Sequence, residues 1–233
     1  MINFDTLFLF TLFILGAFFV GILVGYFSHY MFKGRVIIRQ NRGESSVRKI
    51  ITNTFKAPHY HLLNNLTLPA QDGTTQIDHI LVSTKGIFVI ETKNYSGWIF
   101  GDEKSKQWTQ VIYRVKNKFQ NPIRQNFKHV KAIQNQLDFL PKEQFHPIVV
   151  FVGDAEFKTP MPKEILYLDQ LVDYIKTYED ELISLNRVQF CVGRLECKRY
   201  EVTKRTDLEH RAIFIRSLAN REVLEYFSKR CPA

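Results

Sequence analysis

The chain has 233 residues, long enough for one membrane segment and one domain of ordinary size, with 45% hydrophobic and 24% charged residues. This composition is that of a globular protein and excludes a chain that is largely disordered or of low complexity. The formal net charge of +9 favours negatively charged partners, and both lipid head groups and nucleic acids meet that description.

Residues 6–32 contain no Asp, Glu, Lys or Arg, and a run of this length can cross a hydrocarbon layer of about 30 Å as a tilted helix. It lacks the basic start and the small-residue cleavage site of a signal peptide. No basic residue precedes the run, and the residues that follow include Lys33, Arg35, Arg39 and Arg42. The positive-inside rule therefore predicts a single-pass helix in the cell membrane, a basic juxtamembrane linker over 33–43 and a domain in the cytoplasm. Gly21 and Gly25 are four residues apart, a spacing that lets two membrane helices approach closely, so a homo-oligomer is one possibility. The alternative is that these residues reflect only the general frequency of glycine in membrane helices.

A helix is predicted over residues 44–55, because its apolar residues recur at helical spacing and Pro58 ends it. A strand over 60–68 and a turn at Asp72-Gly73 precede a hairpin over 75–94, whose two apolar strands meet at Thr84-Lys85. Further strands are predicted within 97–114.

A second helix is predicted over residues 122–140, with Pro122 in its first turn. Its apolar face would consist of Ile123, Phe127, Val130, Ile133, Leu137 and Leu140. A buried strand follows between Pro147 and Gly153, then a helix over about 163–185, a short strand near 188–193 and an amphipathic terminal helix over about 208–227. This order predicts an α/β or α+β domain in which helices flank a mixed sheet.

The hairpin carries two acids and a lysine among its apolar residues. If Ser83 lies opposite Gly86, the numbers of facing residues add up to 169, so Asp78 faces Glu91. Side chains alternate along a strand, which puts Lys93 on the same face as Glu91. Two carboxylates this close repel each other, so one tends to hold a proton unless a cation joins them, and Mg²⁺ is commonly bound by one or two carboxylates. A solvated cross-strand charge cluster is the alternative reading.

From Gly43 to about Leu140 the chain resembles the nuclease-related domain (NERD) family, part of the restriction-endonuclease-like group with the PD-(D/E)xK pattern. The resemblance is carried by Gly43-Glu44, the block TQIDHILVSTKGIFVIETKNYSGWIFGD, Trp108-Thr109-Gln110, and NPIRQN from Asn121 to Asn126. Ile77 stands where the pattern has a proline before the Asp. The resemblance implies a restriction-endonuclease-like mixed sheet flanked by helices over 44–185, followed by a C-terminal extension over 186–233.

The same resemblance implies the roles of the site residues. Asp78 and Glu91 would bind Mg²⁺ or Mn²⁺, Glu44 would be an accessory acid and metal ligand, Lys93 would be the catalytic lysine, and Gln125 would lie near the site. No small-molecule cofactor is expected. His79 alternates to the opposite strand face, where core packing is expected. A basic region that would contact phosphates comprises Lys116, Lys118, Arg124, Lys128 and Lys131.

These observations favour a membrane-anchored, metal-dependent nuclease that acts on DNA or RNA at the cytoplasmic face. The alternative is a non-catalytic module that binds nucleic acid or protein and tethers it to the membrane. A sensor role in a defence or stress system, with the membrane helix as the assembly element, is a third reading.

Overall fold

The protein is described by a computed structural model that covers residues 42–71 and 73–200, together with residues 16, 19–23 and 25. The N-terminal residues among these are helical. Most of the predicted membrane span over 6–32, residues 33–41 of the linker and the predicted terminal helix over 208–227 lie outside the described residues. Within the described part of the chain, no helix is both long and apolar enough to span a bilayer.

The strands predicted up to residue 153 are present, but they form two mixed sheets rather than one. The larger sheet contains β1 (Tyr60–Ala70), β2 (Gly73–Ser83), β3 (Gly86–Asn94), β7 (Phe145–Val152) and β9 (Ile165–Tyr167), in the order β1-β2-β3-β7-β9. The first three strands are antiparallel, and β7 and β9 continue the sheet in parallel. The smaller sheet contains β4 (Gly97–Phe100), β5 (Gln107–Ile112), β6 (Val115–Gln120) and β8 (Ala155–Phe157), in the order β6-β5-β4-β8.

Helices cover both faces of the larger sheet, as the α/β prediction requires. They are α1 (residues 42–54), α2 (Pro122–Gln136), α3 (Leu171–Lys176) and α4 (Leu185–Lys198). The helix α1 buries Val47 and Ile51 with α3 on one face, against Leu81 and Phe88. On the other face α2 and α4 pack on the alternate residues of the same strands. Because β2 and β3 are apolar on both faces, they form the centre of the domain.

Two predictions for the C-terminal third were wrong. The predicted helix over 163–185 is instead the strand β9, a 3-10 turn at Leu168–Gln170 and the short α3, because Ile165 pairs with Val149 and extends the sheet. The predicted strand near 188–193 is part of α4, which buries Val188, Cys191 and Leu195 at helical spacing. The helix α4 packs in the same apolar cluster as α2, so the domain core continues beyond Leu185.

The helix α2 confirms the second predicted helix, but its buried face differs from the predicted one. Phe127 is 58% exposed, and its ring contacts the Lys131 ammonium. The buried positions instead include two polar residues, Asn126 and His129. Asn126 hydrogen-bonds backbone carbonyls of β3 and β7, and His129 hydrogen-bonds the Glu91 carboxylate, so both polar residues have partners in the sheet.

Candidate active site

The register of the β2–β3 hairpin agrees with the prediction from its turn. The paired residues run from Ser83 with Gly86 to His79 with Ile90, so every pair adds up to 169. Val89 packs in the cluster that α2 covers. Glu91 and Lys93 follow it on that face, directed towards α2.

Asp78 lies where β2 leaves the regular ladder on both sides. On β1, Asn65 is skipped in the pairing and adopts a left-handed conformation with φ of 51°, which asparagine tolerates better than most residues. On β3, the ladder ends one residue before Asp78 would pair with Glu91. The Asp78 carboxylate instead accepts a hydrogen bond of 2.8 Å from the Thr92 backbone N–H. This local distortion turns the acid towards the end of β3.

His79 occupies the other face of β2, as predicted. It is 2% exposed and hydrogen-bonds the Asn64 side chain at 2.7 Å through Nδ1. Burial lowers the pKa of His79 to about 4, and the nearby Arg48 contributes to this. A neutral, buried imidazole of this kind belongs to the core.

Glu91, Lys93 and Gln125 form one connected group. The Lys93 ammonium donates to Glu91 Oε1 at 2.6 Å and to Gln125 Oε1 at 2.9 Å. The Glu91 side chain is 4% exposed and the Lys93 side chain 15% exposed, so part of the lysine side chain reaches solvent. Burial alone would lower the pKa of Lys93, but the Glu91 carboxylate outweighs it and raises that pKa, which keeps the lysine charged.

His129 joins this group and was missed in the sequence. Its Nε2 lies 3.0 Å from Glu91 Oε2, and its Nδ1 lies 2.7 Å from the Thr75 hydroxyl. Burial would raise the pKa of Glu91, yet Lys93 and His129 together lower it to about 2. The available signal was spacing, because His129 follows Gln125 by four residues and therefore lies on the same face of the helix.

Glu44 reaches the site from the first turn of α1. Gly43 allows this approach, since a β-carbon at residue 43 would lie 3.0 Å from the β-carbon of Asn94 at the end of β3. Burial raises the pKa of Glu44, and the negative charge of Glu91 adds to this. Burial also raises the pKa of Asp78 well above its usual value, with further contributions from Glu91 and Glu44. The three acids are therefore close enough to oppose one another's ionisation.

The segment NPIRQN holds the site together. Asn121 caps α2 by accepting from the Ile123 N–H at 2.9 Å, and its amide donates to the carbonyls of Asp102, Glu103 and Ser105. Asn126 donates to the carbonyls of Val89 and Ile148, one on each central strand, at 2.9 Å each. Gln125, between these two structural asparagines, is thereby fixed beside Lys93.

All five predicted site residues thus lie around the place where the ladder between β2 and β3 ends. In the described part of the chain, however, no three His, Cys, Asp or Glu side chains are already arranged as a metal site. Both Glu91 oxygens have partners in Lys93 and His129, although a carboxylate oxygen has a second lone pair for another contact.

The sequence of the chain is similar to that of a known protein family. The family model for the nuclease-related domain matches residues 39–152, a range that contains every residue of this site. An uncharacterised protein of Bacillus anthracis is 40% identical over 156 residues, which are 63% of this chain and 70% of that protein. The chain belongs to the nuclease-related domain family. No solved structure matches the chain significantly.

The nuclease-related domain covers α1, all of β1–β7 and α2. The elements beyond it, β8, β9, α3 and α4, complete the two sheets and the apolar clusters. The matched range therefore contains the candidate site. The elements after residue 152 pack on the sheets that position the site residues.

Proposed function

We propose that this protein is a membrane-anchored nuclease that uses Mg²⁺ or Mn²⁺ to hydrolyse phosphodiester bonds of DNA or RNA at the cytoplasmic face. The observation that carries the proposal is the convergence of Asp78, Glu91 and Glu44 with a single buried lysine, Lys93. The residues follow the PD-(D/E)xK pattern as Asp78, Glu91 and Lys93, and membership of the nuclease-related domain family supports the same reading.

The chemistry of the acids fits a divalent cation. Three carboxylates share one lysine, and burial, together with the negative charges of Glu91 and Glu44, raises the pKa of Asp78. Asp78 and Glu91 would hold the ion, with Glu44 as an accessory ligand, and water or substrate phosphate would complete the coordination. When bound, such an ion supplies the polarisation of a phosphoryl oxygen and the activation of a water nucleophile.

The protein's own groups act on the substrate and on one another. The Lys93 ammonium, which has a third proton besides those given to Glu91 and Gln125, donates a hydrogen bond to a phosphate oxygen and stabilises the negative charge that grows there. Gln125 fixes the direction of the ammonium by accepting one of its protons. His129 holds the Glu91 carboxylate from the buried side, and Thr75 in turn orients the imidazole.

The membrane anchor rests on residues 6–32 and their flanks. In the described part of this segment, residues 19–23 are helical, and Phe19, Val20, Ile22 and Leu23 are each between 53% and 65% exposed. Apolar side chains exposed around a helix are expected to face lipid. The basic residues after the segment support a single pass with the nuclease-related domain in the cytoplasm.

The test is cleavage by the purified full-length chain. It is incubated with linear duplex DNA, circular DNA, single-stranded DNA and RNA, with Mg²⁺, Mn²⁺ or EDTA. We expect cleavage that requires the metal and that Asp78→Ala abolishes. The matched control is Glu143→Ala, at an exposed acid on the 3-10 turn Lys142–Gln144. Metal-independent binding without cleavage of any substrate would refute the nuclease and support the tethering module.

We predict that His129→Leu weakens Mn²⁺ binding and lowers the cleavage rate by about 10-fold to 100-fold, since loss of a group that orients a metal ligand has this effect. His129→Gln retains a donor for Glu91 and should recover part of the loss. Titration with Mn²⁺ measures the affinity separately from the rate. Exposed His59 provides the control His59→Gln. Equal Mn²⁺ affinity in the wild type and His129→Leu would contradict the role of His129.

A further inference from the structure

The outer face of the smaller sheet carries aromatic residues in its middle and lysines at its sides. Trp98 and Phe100 lie on the same face of β4 and are 50% and 37% exposed, although large aromatic residues are usually buried. The opposite face of the same strand is buried at Ile99, which packs with Trp108 and Phe151. The exposed rings of Trp98 and Phe100 therefore lie on an inner strand that is paired on both sides.

The strand pairing places the lysines around these rings. One row across the sheet contains Glu156, Trp98, Val111 and Lys116, and the next contains Phe100, Thr109 and Lys118. Lys116 and Lys118 are exposed. Neighbouring strands are about 4.8 Å apart, so each lysine stands about 10 Å from its aromatic residue. On the other side, the Lys158 ammonium lies 4.8 Å from the centre of the Trp98 ring and also pairs with Glu156.

We propose that this face, the aromatic face, binds single-stranded nucleic acid. Unpaired bases stack on exposed aromatic rings, whereas the bases of a duplex are already stacked on each other. Lys116 and Lys118 are placed to contact the phosphates of the stacked nucleotides, and Lys158 balances the charge of Glu156. The rings also lie on an inner strand of the sheet and not on a protruding loop, which suits stacking better than insertion into lipid.

The aromatic face is connected to the candidate active site along the chain. The strand β4 begins shortly after Lys93, and β6 ends just before Asn121, the cap of the helix that carries Gln125. Asn121 also fixes the loop between β4 and β5 through the carbonyls of Asp102, Glu103 and Ser105. Single-stranded nucleic acid would then be the substrate of the nuclease, a role that rests on the proposed function. Binding to the aromatic face is measured separately from cleavage.

The test measures binding of a labelled single-stranded 12-mer, as DNA and as RNA, by the full-length chain in neutral lipid nanodiscs. EDTA is present throughout, so that no metal-dependent cleavage occurs. Trp98→Ala with Phe100→Ala should weaken binding by about 10-fold or more, because base stacking on an aromatic side chain contributes about 1–3 kcal/mol per base. Lys116→Ala with Lys118→Ala should reduce the salt slope by about 1.4, or 0.7 for each phosphate contact.

A direct readout comes from tryptophan fluorescence, because the chain has only two tryptophans and Trp108 is buried. The oligonucleotide should quench the wild type, and Trp98→Phe should remove most of the quenching while binding persists. The control Lys49→Ala with Lys142→Ala replaces two exposed lysines elsewhere and should bind as the wild type does. Unchanged melting temperatures exclude unfolding as the cause.

Affinity that is unchanged by the two aromatic substitutions, or tryptophan fluorescence that does not respond at saturation, would overturn the inference. Quenching by added phosphatidylserine vesicles but not by the oligonucleotide would overturn it too, in favour of a lipid-binding face. If the wild type binds the single strand through Trp98 but cleaves nothing in Mg²⁺ or Mn²⁺, the proposed nuclease fails and the aromatic face stands. If the wild type cleaves single strands but the variant with Trp98→Ala and Phe100→Ala binds them normally, the aromatic face fails and the proposed nuclease stands.

Discussion

Replacing Lys93 with methionine is expected to abolish cleavage and to destabilise the domain at the same time. Among the described residues, the Lys93 ammonium is the one cation that contacts Glu91 Oε1, and it is the group proposed to meet a phosphate oxygen. Loss of such a preorganised donor costs about 10³-fold in rate. Without it, Glu91 remains as a carboxylate that is 4% exposed and has only His129 beside it. Breaking a buried ion pair by removing one partner costs about 3–5 kcal/mol, so we expect the free energy of unfolding to fall by about 3 kcal/mol.

A second substitution separates the two effects. When Glu91→Leu is added to Lys93→Met, the buried charge disappears, and most of the lost stability should return while cleavage stays absent. Lys85→Met is the matched control on the same hairpin, because Lys85 pairs with the exposed Glu181 at 3.9 Å and an exposed pair contributes little. Denaturant unfolding followed by circular dichroism gives the free energies. Wild-type stability in Lys93→Met would contradict the importance of the buried pair.

The part of the site that was predictable depends on local geometry. A two-residue turn at Thr84-Lys85 determines the register of the whole hairpin, and alternation along the strand then assigns Glu91 and Lys93 to one face. The same reasoning predicted α1, because the residues that pack it on the sheet recur at helical spacing. These features need only neighbouring residues, which is why the sequence predicts them.

The part that was not predictable depends on contacts between distant residues. The left-handed Asn65 on β1 accompanies the break in pairing at Asp78, and no pattern within residues 75–94 indicates it. His129 looks like one polar residue of an amphipathic helix until α2 is packed on β3. For the same reason β9 forms within a segment for which a helix was predicted, since the edge of β7 supplies its hydrogen bonds.

These long-range contacts also explain why Asp78 and Lys93 should respond in opposite ways to substitution. Lys93 is compensated by Glu91 in the folded state, whereas Asp78 faces two other acids and has one backbone donor, the Thr92 N–H. The folded domain therefore stabilises the charge of Lys93 and opposes that of Asp78. Residues that oppose folding in this way are common at functional sites, where the ligand compensates for the cost.

We accordingly predict that Asp78→Asn abolishes cleavage but makes the metal-free protein more stable at pH 8. An acid whose pKa is raised on folding contributes its full stability at pH values below its unfolded pKa, and this contribution is lost as the pH rises through the folded pKa. Asparagine avoids that loss and still accepts from the Thr92 N–H, so the advantage of the variant should shrink when the pH is lowered towards the unfolded pKa of Asp78.

Adding Mg²⁺ should reverse this order of stability. A ligand that binds only the folded state stabilises it in proportion to the logarithm of its concentration, so the melting temperature of the wild type should rise while that of Asp78→Asn stays nearly constant. Asp180→Asn, at an exposed acid far along the chain, is the control and should follow the wild type. Parallel stabilisation of the wild type and Asp78→Asn by Mg²⁺ would show that the ion binds without Asp78. As the Mg²⁺ concentration rises, the melting temperature of the wild type should therefore overtake that of Asp78→Asn. This result would show, without any substrate, that the acids that oppose one another's ionisation bind a cation.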